Sequence, residues 1–437
     1  MGGGEVHRTG APAGAGTVAP REALRNTGSA RVSSLSIAMV SEYVYPTLGG
    51  VSEHVHFLSR ELAARGHDVT IVTGNLGDAG EVAEMDRAAF RESGYRTRRI
   101  GRSVPVVSNG SIARLTVGMG LKPQMAAAVR GVDVVHSQAL ASPTLPLLCL
   151  RVSTAPVTVG TFHTYFDGGH WAYRSLGRYV RAALDRLDRR IAVSDACIQA
   201  LSPYFPGEWD VVPNGIDCNL YRPLTGPDER EPGPPRILFV GRFDPRNALG
   251  DLLDAVAILK REGREFVVQV IGDGPARPMY EKKAKNLGIW NRIEWLGLLN
   301  EERPHYYRQA DVMAAPCVLA SFGVVLLETL ASGTPVVAAD NIGFRQVIRG
   351  DVPGRFVPPH DGAELAVGIG ELLDDPSRSA KVGVQGRVAV EREFDWPRVT
   401  DRVEDLYREV LIFKRRSILP LTGTAAGTRG LRFGRVS

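Results

Sequence analysis

The stretch from Ser34 to Gly74 constrains the fold more than any other. SLSIAMVSEYV is a β-branched and apolar run that reads as a strand, and PTLGG breaks it. VSEHVHFLSRELAARG then places Val51, Val55, Leu58 and Leu62 at helical spacing, and Gly66 stops the helix before the next strand, HDVTIVTG. Strand, helix and strand in this order form a βαβ unit, which implies a parallel sheet. Short apolar runs repeat the pattern at VDVVHS (132–137), APVTVGTFH (155–163), RIAVS (190–194) and WDVVP (209–213). An α/β, open, doubly wound sheet is therefore expected over residues 34–222.

A segment rich in Pro, Gly and charge (223–235) reads as a linker. A second set of units follows: RILFVGR, FVVQVIGDG, RIEWLG, DVMAAP and PVVAAD alternate with helical stretches, giving a second doubly wound domain over 236–396. The helix 397–416 carries Val399, Val403, Leu406, Val410 and Leu411 on one face, which must be covered. Two parallel-sheet domains suit a chain of 437 residues, too long for one ordinary core. They leave a cleft, and ligands of such sheets bind beyond the carboxyl ends of the strands.

Residues 1–33 are Gly/Ala/Pro-rich and are expected to be disordered, without the hydrophobic segment of a signal peptide. No apolar run approaches the ~20 residues of a spanning helix. Cys149, Cys197, Cys218 and Cys317 are scattered and read as buried small hydrophobes in a reducing cytoplasm. Residues 412–437 hold six basic residues and no acid, while the body is net negative. The basic tail (417–437) could touch anionic lipid at the inner membrane face or be simply solvated. The body has no basic stripe interleaved with aromatics, which argues against nucleic acid as a partner.

Gly49 and Gly50 precede a helix and would let backbone approach a phosphate; a tight turn without a ligand would look the same. His136 and His163, read as strand-end residues, would face the cleft as hydrogen-bonding or acid/base groups, or be structural. Arg242 follows the first strand of the second domain and could grip a diphosphate bidentately. Asn247 lies just beyond it, and the Gly272–Pro275 turn ends the next strand. In ASFGVVLLE, Ser321 is expected to cap the helix and Gly323 to bring N–H groups near a ligand. Glu328 is a lone acid on an apolar helix. Two hydroxyls of a ribose would satisfy it, and so would a structural salt bridge.

Taken in order, YPTLGGVSEHVHFLSRELAARGHDVTIVT, TFHTYF, IAVSD, VPNGID, ILFVGRFDPRNAL, IGDGP and SFGVVLLETLASGTPVV resemble the retaining nucleotide-sugar glycosyltransferases of family 4, with two facing Rossmann-like domains, the GT-B fold. NGSIARL, TFHTYF and FDW look most like the phosphatidylinositol mannosyltransferases within it. The resemblance implies a hexosyltransferase moving mannose from GDP-mannose, or a sugar from a UDP-sugar, to a lipid or small-molecule acceptor. No metal or other cofactor is implied. Gly49 and Gly50 would flank the acceptor and sugar phosphate, Arg114 and His163 would lie on the acceptor side, and His136 at the reacting sugar. Arg242, Arg246 and Gly272 would lie at the donor, the Phe322 and Gly323 amides would contact it, and Glu328 would bind its ribose. The last helix would cross back to the first domain.

Two positions depart from the family's pattern. Ala320 stands where a glutamate contacts the transferred sugar, and Asn247 where a lysine neighbours the diphosphate. Loss of one such contact costs ~3–4 kcal/mol of barrier, about 10²–10³ in rate. Arg246, one residue away, could replace the lysine. The chain is then either an active transferase with altered donor contacts or a catalytically impaired binding or scaffold relative. A two-domain epimerase is disfavoured by SFGVVLLE.

Overall fold

The computed structural model describes residues 34–418 apart from 48, 78, 109–110, 141–143, 166–176 and 227–228. The expected tail 1–33, and all but the first two residues of 417–437, lie outside the described residues. Along the first sheet the chain runs β1 (Ser36–Val40), α1 (Gly50–Ala64), β2 (Asp68–Gly74), α2 (Ala79–Ser93), β3 (Arg96–Ile100), β4 (Arg102–Ser108), β5 (Ser111–Val117), α3 (Leu121–Ala128), β6 (Val134–Gln138), α4 (Leu145–Val152), β7 (Val157–Phe162), α5 (Gly177–Leu184), β8 (Arg189–Ala192), α6 (Asp195–Leu201) and β9 (Asp210–Val211). The second lobe follows with β10 (Arg236–Val240), α7 (Leu249–Arg261), β11 (Val267–Ile271), α8 (Arg277–Asn286), β12 (Ile293–Gly297), α9 (Arg303–Gln309), β13 (Val312–Ala315), α10 (Val324–Ala331), β14 (Val336–Ala339), β15 (Arg355–Val357), α11 (Gly362–Asp374), α12 (Pro376–Glu393) and α13 (Trp396–Ile418).

Both main sheets are parallel, with orders β3-β2-β1-β6-β7-β8-β9 and β12-β11-β10-β13-β14-β15. Each is wound outward from its first strand, so the direction reverses between β1 and β6 and between β10 and β13. These two switch points are where such sheets leave a crevice for ligand. The strand β4 and its partner β5 form a separate antiparallel hairpin. The central strands are buried on both faces, as their continuous apolar runs require.

The chain passes between the lobes twice, and the crossings are tied together. The Ile216 amide donates to the Phe394 carbonyl at 2.8 Å, and the Trp396 amide to the Ile216 carbonyl at 3.2 Å. Beyond this hinge, α13 lies on the first lobe. Its Trp396, Val399, Val403, Tyr407 and Val410 pack with Ile37, Met39, Leu58 and Leu62. Buried Glu404 fixes its register by accepting from His67 Nε2 (2.9 Å), Arg65 Nη1 (2.5 Å) and Arg408 Nη2 (2.9 Å). Burial alone would raise the Glu404 pKa, but the His67 and Arg65 hydrogen bonds override it and hold it at about 2.

Glu404→Ala strands these three donors and is expected to lower unfolding free energy by about 2–4 kcal/mol in a urea melt. Asp401→Ala, removing the exposed carboxylate that also meets Arg65, is expected to cost under about 1 kcal/mol.

Candidate functional site

Two helix N-termini meet across the space between the lobes. The first, of α1, follows Gly49 (φ +151°), and that of α10 follows Gly323 (φ +133°); neither has a side-chain cap. A Cβ on Gly323 would stand 2.9 Å from the Phe344 ring, so backbone geometry and packing both demand glycine there. A Cβ on Gly50 would reach Val324 Cγ2 at 4.0 Å, which brings the two helix starts almost into contact. Both present N–H groups and positive dipole ends to the same space. Ser321 does not cap α10 as expected. Its Oγ accepts the Tyr165 amide (3.1 Å) and its carbonyl accepts Ser194 Oγ (2.6 Å), pinning the segment before α10 to the first lobe. Phe322 is buried against Phe394 in the second-lobe core.

A cavity of about 680 Å³ opens between the lobes, with Tyr45, Gly50, Glu53, His54, Asn214, Arg303, Val324, Glu328 and Trp396 among its lining. Glu328 is 2% exposed, and its partners differ from the pair of ribose hydroxyls that would satisfy both its oxygens. Oε1 accepts Tyr221 OH (2.9 Å) and pairs with Arg303 Nη2 (2.9 Å), while Oε2 accepts Tyr307 OH. A carboxylate offers about four lone-pair positions. The two tyrosine hydroxyls take one position on each oxygen, Arg303 lies against Oε1 as an ion pair while its Nη2 hydrogens go to Glu53 and Tyr221, and the second position on Oε2 stays open. The salt-bridge alternative therefore holds for most of this carboxylate. Burial pushes the Glu328 pKa up, Arg303 pulls it down, and the nearby Glu53 carboxylate adds to the rise. Arg303 Nη2 also bonds Glu53 Oε1 at 2.8 Å, joining α9 of the second lobe to α1 of the first.

Beyond β10, Arg242 and Arg246 share the Asp244 carboxylate at 3.6 and 3.3 Å, each about half exposed. Asn247 Nδ2 donates to the Arg242 carbonyl (2.8 Å), and the Val318 amide to the Arg246 carbonyl (2.8 Å). The two guanidinium groups thus stand on a loop tied to the segment that carries Ala320. Gly272 (φ +141°) packs on Gly241, whose carbonyl oxygen would lie 1.9 Å from any Cβ; this close approach accounts for the glycine without a ligand. Gly50 and Glu328 line the cavity, whereas Gly49, Arg114, His136, His163, Arg242, Arg246, Asn247, Gly272, Phe322 and Gly323 are outside its lining.

His136 is corrected most. It is not at a strand end but in the middle of β6, opposite Met39, and wholly buried. Its Nδ1 meets Tyr407 OH (2.6 Å) and its Nε2 meets Thr161 Oγ1 (2.7 Å), so neither nitrogen reaches the cleft. The strand end belongs to Gln138, whose Oε1 accepts His163 Nε2 at 2.9 Å. His163 follows β7 and packs edge-on against His54. Burial lowers the His136 pKa to about 3 and the His54 pKa to about 4, and drives that of His163 down as well. His54 Nδ1 pairs with Asn214 Oδ1 (3.0 Å), and its buried Nε2 has no partner. Arg114 stands on β5, with Ser103 Oγ at 3.5 Å. That hairpin is anchored by Glu42, a buried acid beyond β1 that accepts from the Thr116 amide (3.3 Å), Thr116 Oγ1 (2.5 Å), the Leu145 amide (3.0 Å) and Thr144 Oγ1.

Sequence reasoning missed Glu42, Gln138, Arg303, Tyr221 and Tyr307. The spacing Arg303–Tyr307 on one helix, i to i+4, is the one local signal that places two of these on a common face. Among the described residues no group of three or more His, Cys, Asp or Glu could hold a metal ion, and no helix is long and apolar enough to cross a membrane.

Comparison with known proteins bears on both halves. Residues 48–220 match the model described as Glycosyltransferase Family 4, and residues 226–388 match Glycosyl transferases group 1. The chain is 30% identical over 385 residues to the phosphatidyl-myo-inositol mannosyltransferase of Mycobacterium tuberculosis, spanning 86% of this chain and 97% of that protein. It is 32% identical to that of Propionibacterium freudenreichii, over 85% of this chain and 94% of the relative. Anabaena HepE, solved with UDP-glucose, superposes with a TM-score of 0.69 at 18% identity, over 86% of this chain and all of that one; this likeness shows the fold.

The buried histidines predict a pH dependence. Between pH 6.5 and about 4 the unfolded chain protonates His54 and His136 while the folded chain keeps them neutral. The unfolded state then binds more protons, so stability rises with pH and is lost as pH falls, by up to about 1.4 kcal/mol per pH unit for each histidine. A urea midpoint that falls steadily from pH 7 to 5, less steeply in His136→Gln, is the expected result.

Proposed function

Starting from the fact that this chain belongs to the family 4 glycosyltransferases of GT-B fold, we propose that it transfers mannose from GDP-mannose to a lipid-linked, phosphate-bearing acceptor with retention of configuration. The observation that carries this reading is the 30–32% identity to phosphatidyl-myo-inositol mannosyltransferases over 94–97% of their length. The site supports it. The facing N-termini of α1 and α10, with Gly49, Gly50, Phe322 and Gly323, suit a diphosphate. Arg242 and Arg246 would meet the charge that develops on the leaving diphosphate as its bond to the anomeric carbon breaks and the acceptor hydroxyl bonds there. Fixed positive groups then do what a metal ion does elsewhere.

In this reading Glu328 takes one ribose hydroxyl on its remaining lone pair. Arg114, on the hairpin held by Glu42, meets the acceptor phosphate. His163 and Gln138 form the floor beneath the acceptor, and His136 acts from below by holding that floor through Thr161 and Tyr407. The basic residues from Arg415 onward attract the chain to an anionic membrane surface on the cytoplasmic face. Ala320 and Asn247 remove two donor contacts and make the transfer slow.

The melting temperature is expected to rise with GDP and GDP-mannose more than with UDP or ADP and their sugars. Arg242→Ala should lower kcat about 10²–10³-fold in a radiolabelled mannose assay. Ala320→Glu combined with Asn247→Lys should raise it by about 10²-fold or more. Absence of any shift with guanine nucleotides would refute the donor, and an unchanged rate in the double variant would remove the two departures as its cause.

A further inference from the structure

The contact that neither the motifs nor the relatives' names explain is the double use of Arg303. It is the first residue of α9. Its side chain is 20% exposed, and one nitrogen, Nη2, meets Glu328 Oε1 of its own lobe at 2.9 Å and Glu53 Oε1 of the other lobe at 2.8 Å. Tyr221, in the chain segment that passes between the lobes, accepts from both Nε (3.1 Å) and Nη2 (2.9 Å). A single guanidinium therefore touches the hinge, the first turn of α1 and the acid that faces the cavity.

We propose that Arg303 is a positioning residue that couples closure of the two lobes to the presentation of Glu328. The inference rests on the glycosyltransferase reading of the cleft. Both carboxylates sit on one nitrogen, so without the guanidinium the closed cleft would set two acids against each other. With it, closure is favoured only while Glu328 is held by Tyr221, Tyr307 and Arg303 in the orientation that leaves a single lone pair on Oε2. Among the described residues, hydrogen bonds that also join the lobes lie around Ser321 and Gln346 and are not ion pairs. Arg303 thus serves the donor indirectly: it sets which oxygen of Glu328 is open and when α1 stands over it.

The two functions separate by mutation. Glu53→Gln removes the cross-lobe half and leaves Glu328 paired. Arg303→Lys keeps a charge but gives up the planar fork that reaches Glu328, Glu53 and Tyr221 together. The full-length chain carries dyes on Lys122→Cys of the first lobe and Lys282→Cys of the second, and interlobe energy transfer is read without nucleotide. Steady-state rates with GDP-mannose and GDP affinity by calorimetry are measured on the same variants. Glu53→Gln is expected to lower transfer efficiency as the lobes part, to lower kcat about ten-fold, and to leave GDP affinity within about two-fold. Arg303→Lys is expected to weaken GDP binding as well, about ten-fold. A purely structural role for Arg303 would lower the melting temperature without this split. An unchanged interlobe distance in Glu53→Gln overturns the proposal, as does an opened cleft with unchanged kcat. Should the wild-type chain bind neither guanine nor uracil nucleotides, the glycosyltransferase assignment of the cleft falls, while the dye distances still decide whether Arg303 closes it.

Discussion

A buried carboxylate in an otherwise apolar helix organises the cleft. Left unpaired, Glu328 would cost several kcal/mol, and the fold must deliver partners to it from two separate elements. Tyr307 and Arg303 come from the next helix back, and Tyr221 from the segment that crosses between the lobes. Satisfying this one acid fixes α9 against α10 and the hinge against both. It also fixes where α10 begins, and hence where the N–H groups beyond Gly323 point.

The first lobe is organised by the same kind of economy. Buried Glu42 gathers the β4–β5 hairpin and the start of α4 around the end of β1, and buried His136 ties β6 to β7 and α13. The latter contact matters for the site because α13 returns from the second lobe. Strand β6 of the first lobe and the helix that fastens the two lobes share a hydrogen bond, His136 Nδ1 to Tyr407 OH. In the first lobe Glu42 and His136 are partnered by elements distant in sequence, the arrangement that makes a polar core specific as well as tolerable.

The architecture was legible in the sequence because parallel sheets buried on both faces write themselves as short continuous apolar runs. SIAMV, VVHSQ, VTVGTF, RILFV and VVQVI all lie in strands, and GGVSEHVHFLSRELAA gives a helix starting at Gly50. The hairpin at NGSIARL was used only as a family mark, because an antiparallel pair beside the sheet has no such run. The site was less legible. Gly50 and Glu328 line the cavity, but His136, read as a strand end, stands two residues short of it, in the middle of β6. Two of its hydrogen-bond partners, Thr161 and Tyr407, lie 25 and 271 residues away, and no local pattern announces them. Ser321 reads as a cap from its spacing, yet the other lobe takes its hydroxyl. Arg303 shows in the sequence only as a helix-face neighbour of Tyr307, because its meaning in the cleft lies in Glu53, 250 positions earlier.

In the reading proposed above, the wall formed by Glu328 and α10 receives the ribose of a nucleotide sugar. A crystal structure of the complex with GDP measures this directly. One ribose hydroxyl should lie about 3 Å from Glu328 Oε2, with Tyr221, Tyr307 and Arg303 still in place and the diphosphate at the starts of α1 and α10. A nucleotide bound outside the space between α1 and α10, or a ribose that takes both Glu328 oxygens by displacing Arg303, would contradict it.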